Sequence, residues 1–149
     1  MKLYHGTSET AAKAILAAGE IKPRGRKKSN WKEHPSKSTY VYMTTAYALY
    51  FGMTAIKDKN DRIAVFEIDL DSLDEDNFRP DEDFIEQYSR KNVPDPNVGL
   101  KTRTANARKI TDKLAYAWED SLEFMGTMAH CGAIPKSAIS RVAIFDPKL

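Results

Sequence analysis

The segment from Arg62 to Leu70 constrains the fold more than any other stretch of the chain. Ile63 to Phe66 is a continuous apolar run, after which Phe66, Ile68 and Leu70 alternate with Glu67 and Asp69. Side chains along a strand point alternately to opposite faces. The pattern therefore predicts a strand buried on both faces at one end and half exposed at the other. A chain with such a segment folds around a β-sheet.

The elements around it are shorter. Lys2 to His5 predicts a strand. Thr7 or Ser8 to Ala18 predicts a helix, with a hydroxyl cap, Glu9 in its first turn and Gly19 as its stop. Ala11, Ile15 and Ala18, with Ala12 and Leu16 alongside, form its expected buried stripe. Residues 22–38 hold Pro23, Gly25 and Pro35 without periodicity and read as loop. Tyr40 to Met43 is a compact strand, and Thr44 or Thr45 then caps a helix whose expected inner face is Ala46, Leu49 and Tyr50 or Met53.

Beyond the central strand, an acidic loop runs from residue 71 to Pro80, which suits the first turn of a helix carrying Phe84, Ile85 and Tyr88. Pro94, Pro96 and Gly99 mark another loop. One long helix is expected from about Thr104 to Met125, striped by Ile110, Leu114, Ala117, Trp118, Leu122 and Met125 and ended by Gly126. Thr127 to His130 is a short strand, Ile134 to Ile139 a turn or short helix, and Arg141 to Phe145 a last strand. Strands scattered among helices, too few and too irregularly spaced for a doubly wound sheet, predict an α+β fold. At 149 residues, a single domain over 1–149 is expected.

Lys and Arg total 23 and Asp and Glu 21, a net charge of +2 that by itself points to no class of partner. The average conceals two opposed blocks. Residues 20–37 carry Lys22, Arg24, Arg26, Lys27, Lys28, Lys32 and Lys37 against Glu20 and Glu33. Residues 67–86 carry Glu67, Asp69, Asp71, Asp74, Glu75, Asp76, Asp81, Glu82, Asp83 and Glu86 against Arg79. The basic block fits either a solvated loop or contact with a polyanion. No apolar run approaches the roughly 18–20 residues of a membrane helix, and MKLYHGTSET lacks the pattern of a secretory leader, so a soluble cytoplasmic protein without a membrane partner is expected.

His5, His34 and His130 show no metal-ligand spacing, and the single cysteine, Cys131, excludes a cysteine-rich metal site, so no metal is expected. Cys131 and His130 are neighbours on a strand, point to opposite faces and form no nucleophile–base pair. Phosphate-loop, dinucleotide-fold and nucleophile-elbow motifs are all missing. His5 is different. It ends a strand, Gly6 permits close approach to the backbone, and Thr7 and Ser8 bring hydroxyls to a helix N-terminus.

Tyr4-His5-Gly6-Thr7-Ser8, the helix ending in Gly19-Glu20-Ile21-Lys22-Pro23, and Val41-Tyr42-Met43-Thr44-Thr45 together resemble the ADP-ribosyltransferase fold. The relatives in view are the small rifamycin ADP-ribosyltransferases, the DarT-like DNA ADP-ribosyltransferases and the RNA 2′-phosphotransferases. The resemblance covers Lys2 to about Leu70 and resumes from Ala129 to Phe145. It implies two small, steeply crossed β-sheets with flanking helices, and NAD as a substrate in the cleft between them.

By position, the resemblance implies that His5 bonds the adenosine-side ribose with Thr7 nearby, and that the Gly6 backbone meets the nicotinamide carboxamide. Tyr42 begins the stretch that holds the nicotinamide ribose, Tyr50 or Phe51 stacks on nicotinamide, and Arg24 or Arg26 holds the pyrophosphate. Ser29-Asn30-Trp31 resembles a Ser-Asn-Tyr segment of the rifamycin-modifying enzymes. Tyrosine at position 42, where the phosphotransferases place histidine, favours ADP-ribosyl transfer over RNA 2′-phosphate transfer, the alternative.

Many family members place a glutamate at the start of the strand that precedes the Ile-Pro turn, where it stabilises the oxocarbenium-like transition state. Thr127 stands there in this chain. Asp83, then Glu119, then Glu123 rank as substitutes. If none reaches the cleft, the expectation becomes a non-catalytic nucleotide-binding module. The acceptor expected from the basic loop at 22–37, with Trp31 and His34 among its cations, is DNA or RNA, with protein and small molecules as the other classes.

Overall fold

A computed structural model describes residues 1–25, Lys27, Ser29, 36–88 and 98–148. Its centre is a six-stranded antiparallel sheet in the order β5-β6-β3-β1-β4-β8. The strands are β1 (Lys2–Ser8), β3 (Tyr40–Thr44), β4 (Ile63–Asp69), β5 (Phe78–Pro80), β6 (Thr127–Cys131) and β8 (Ile139–Phe145). A separate two-stranded ribbon pairs β2 (Glu20–Ile21) with β7 (Ile134–Pro135). The helices are α1 (Glu9–Ala18), α2 (Ala48–Ala55), α3 (Glu82–Tyr88), α4 (Leu100–Ile110) and α5 (Trp118–Met125). The α+β class holds, but the expected two small sheets are one main sheet and a ribbon.

That main sheet is nearly divided. β1 pairs with β4 along its whole length, from Lys2↔Asp69 to Ser8↔Ile63, and β3 pairs with β6 from Tyr40↔Cys131 to Thr44↔Thr127. Between β1 and β3 the pairing is limited to Tyr4↔Thr44. The two three-stranded halves thus meet at a seam. His5 lies beside it and closes it with a side-chain bond, Nδ1 to the Tyr42 carbonyl at 2.8 Å.

The main core covers one face, where Leu3, Val41, Met43, Phe66, Ile68 and Met128 pack with Ala12 of α1, Ile21 and Ile134 of the ribbon, and Leu122 of α5. β4 is buried through Ile63–Phe66 and alternates afterwards, as its sequence predicts. Ser8 caps α1 by accepting from the Ala11 N–H at 3.1 Å, and Gly19 ends it at φ 79°. The buried stripe of α1 is narrower than expected: Ala12 is buried and Ile15 half-buried, while Leu16 and Ala18 are exposed.

Three further expectations change. α2 buries Ala48 and Gly52 and exposes Leu49, Tyr50 and Met53, the reverse of the expected inner face. β1 is the cause, because it approaches so closely that a Cβ on Gly6 would collide with the Ala48 carbonyl oxygen. Pro80 ends a strand hidden in the acidic stretch, and α3 begins after Asp81, whose Oδ1 accepts from the Asp83 N–H at 2.9 Å. The long helix is two. Buried Thr111 bonds back to the Arg108 carbonyl and across to the Tyr40 hydroxyl, and Asp112 is drawn onto β3 as well. A second cluster of Phe84, Ile85, Ala107 and Ala117 joins α3, α4 and α5.

Candidate functional site

Strand alternation places Tyr42, Thr44 and Thr127 on the sheet face opposite the main core, because Met43 and Met128 occupy that core. The first turn of α3 lies against this patch. The Tyr42 hydroxyl donates to Glu82 Oε2 at 2.6 Å and accepts from the Lys37 backbone N–H at 2.9 Å. With that N–H on its oxygen, the phenol points its own proton at Glu82. Burial, and then the neighbouring Glu82 charge, hold the Tyr42 pKa well above the ordinary phenol value.

Asp81 and Glu82 form an adjacent pair, Glu82 buried and Asp81 partly buried. Burial raises both carboxyl pKa values, and a neighbouring carboxylate adds to each, Asp83 for Asp81 and Asp81 for Glu82. Two carboxyls drawn this close out of water retain protons into a pH range where surface acids are ionised. The Asp81 backbone is fixed by its N–H bond to Ser121 Oγ at 2.9 Å. Ser121 in turn donates to the Thr127 carbonyl at 2.7 Å. This chain of bonds clamps Asp81 beside the first residue of β6.

Thr127 itself carries an anomaly. Its side-chain oxygen is buried, with the residue 6% exposed, and among the described residues it has no hydrogen-bond partner of good geometry. The polar side chain it approaches is Asp81, whose carboxylate it favours as a hydrogen-bond donor against the larger effect of burial. An unpaired buried hydroxyl costs on the order of 1–3 kcal/mol. Such a group beside a carboxyl is suited to a ligand hydroxyl that would complete both.

Across the seam, the carbonyl of Tyr42 can only accept, so His5 carries its proton on Nδ1 and presents Nε2 as an acceptor. Burial depresses the imidazole pKa, the hydrogen bond opposing it, which favours the neutral form. Thr7 is buried on β1. Gly6 is explained by the passage of α2 over β1.

The other residues singled out by sequence are placed elsewhere. Asp83 is exposed at the start of α3, and Glu119 and Glu123 are exposed on α5. Tyr50 is exposed and Phe51 half-buried on α2, with their rings packed 5.8 Å apart. Arg24 donates to the carbonyls of Gly25, Lys27 and Ser36, closing the base of the basic loop. Arg26, Asn30, Trp31 and His34 lie outside the described residues. Asp81 and Glu82, which the structure brings to Tyr42 and Thr127, were not singled out by sequence. Their only signal was their place in Pro80-Asp81-Glu82-Asp83, directly before the apolar pair Phe84-Ile85.

Among the described residues, no group of three His, Cys, Asp or Glu side chains is arranged to hold a metal ion, and no helix is long and apolar enough to cross a membrane. Comparison with protein-family models, curated proteins and solved structures finds no match.

Proposed function

We propose that the chain is an NAD-dependent ADP-ribosyltransferase in which Asp81 takes the part that a glutamate at position 127 would otherwise take. One observation carries this reading: the buried Thr127 hydroxyl, which makes no well-formed hydrogen bond among the described residues, lies beside the clamped Asp81 carboxyl at the start of β6. The threonine bonds a ribose hydroxyl, and Asp81 supplies the negative charge that threonine lacks. His5 Nε2, at the seam, accepts from a hydroxyl of the second ribose.

In the reaction, the bond between ribose C1′ and the nicotinamide nitrogen breaks, and its electron pair goes to the nicotinamide ring, neutralising it. An acceptor oxygen or nitrogen then donates a pair to C1′ and releases its proton to solvent. Ionised Asp81 stabilises the positive charge that develops on the ribose between these events. The Thr127 hydroxyl and the Asp81 carboxyl fit a hydroxyl-bearing substrate on one face of the sheet, and the neutral imidazole of His5, which pairs opposite Phe66 on the core face, borders the seam from the other. Arg24 has turned to loop carbonyls, so it is not assigned to the pyrophosphate.

DNA or RNA is the acceptor class we assign, on the cations of residues 22–37. Incubation with labelled NAD and separate pools of DNA, RNA and protein tests this. Label in a nucleic-acid pool supports the assignment, and label confined to protein overturns the acceptor class alone.

A further inference from the structure

The basic loop ends at Lys37, and its last residue does two things at once. The backbone N–H of Lys37 fixes the Tyr42 oxygen at 2.9 Å, while its ammonium reaches away to Asp112 Oδ2 at 2.8 Å. The ammonium also lies 3.3 Å from both the Tyr40 hydroxyl and Thr111 Oγ1, and 4.7 Å from the centre of the Tyr40 ring. Asp112 is the common acceptor of this cluster. Besides Lys37 it takes the Tyr40 O–H at 2.6 Å and Arg79 Nε at 2.9 Å. The Lys37 and Arg79 side chains are 21% and 16% exposed and the Asp112 side chain 53%, so one outer carboxylate holds two inner cations.

We infer that Asp112 is a positioning residue for Tyr42, acting through Lys37. The inference rests on the reading of Tyr42 as a site residue. Asp112 makes no bond to Tyr42. It immobilises the Lys37 ammonium, and the lysine backbone then stays on the phenol. With that N–H seated on its oxygen, Tyr42 directs its proton to Glu82. If the clamp is lost, Ser36 and Ser38 stay tied to Arg24 and Gly25, but the Lys37 side chain no longer holds its own peptide against the phenol, and the bond from its N–H to Tyr42 opens more often. The same cluster thereby links the end of the basic loop to the carboxyl pair.

A merely structural Asp112 would tie α4 to β3 through Tyr40 and leave the Lys37 amide unaffected. Amide exchange, followed by NMR on the full chain without NAD, separates the two roles. In Asp112→Asn the Lys37 amide is expected to exchange at least about tenfold faster, while the Met43 amide in the sheet centre keeps its rate. Lys37→Gln, which removes the ammonium and keeps the amide, gives the same result if the Asn variant fails to fold. Asp112→Glu restores slow exchange at least in part. An unchanged Lys37 rate in a folded variant overturns the inference. Exchange needs no substrate, so the inference stands or falls apart from the transferase reading. That reading fails on its own if parent protein releases no nicotinamide.

Discussion

The phenol of Tyr42 donates to Glu82 Oε2 across 2.6 Å, which joins the middle of β3 to the first turn of α3. These residues are 40 positions apart. Their contact brings the acidic stretch to the sheet face that carries Thr127, and it places Asp81 there as well.

Glu82 should make the protein less stable as pH rises. Burial raises its folded-state pKa above the unfolded value, so the protonated carboxyl favours the fold. That contribution is present in full below the ordinary carboxylate range and is lost as pH climbs through the raised value. Glu82→Gln keeps an acceptor for the Tyr42 hydroxyl and removes the titration. Denaturant melts from about pH 5 to about pH 9 should show the parent losing on the order of 1–3 kcal/mol more than the variant. A parent–variant difference that is constant with pH would contradict the buried placement.

Thr127→Val should separate stability from binding. It removes a buried hydroxyl that makes no well-formed hydrogen bond among the described residues, with little change of shape, so stability is expected to hold or rise, by up to about 1 kcal/mol. Substrate affinity should fall by a comparable amount, roughly 5-fold. Thr127→Ser, which keeps the oxygen, should retain binding. Loss of more than about 2 kcal/mol of stability in the valine variant would mean that the hydroxyl is paired.

Gly6 has a packing reason independent of any ligand. Because its Cβ would collide with the Ala48 carbonyl, backbone must move to admit even alanine. Gly6→Ala is expected to cost about 3 kcal/mol or more, or to prevent folding. Gly52→Ala meets Cγ2 of the buried, β-branched Ile63 and, at 3.2 Å, the Thr7 carbonyl oxygen, so it too should destabilise the fold. Equal stability of Gly6→Ala and parent would reject the close approach of α2.

Local signals in the sequence identified β4, β3 and α1, where apolar alternation, β-branched residues or a hydroxyl cap and a terminal glycine act within a few residues. The inner face of α2 was not legible. Size there is set by the distance to β1, which favours Ala48 and Gly52 inside and turns Leu49 and Met53 outward. The break between α4 and α5 comes from bonds of Thr111 and Asp112 to Tyr40, about 70 residues earlier, and a helical stripe carries no trace of it. The carboxyl pair was hidden for a related reason. In a run of acids, Asp83 and Glu82 look alike, and only the partner Tyr42 and the packing of Phe84 and Ile85 decide which one is buried.

Nicotinamide release from NAD, measured by chromatography in parent and Asp81→Asn protein, tests the central claim most directly. The account predicts release by the parent that increases with pH over a range above that of an ordinary aspartate, as Asp81 ionises. It predicts a loss of about 10²–10³-fold in Asp81→Asn, with the fold retained, and near-parent rates in Asp83→Asn and Glu119→Gln. Release that is undetectable in the parent, or equal in parent and Asp81→Asn, would contradict it.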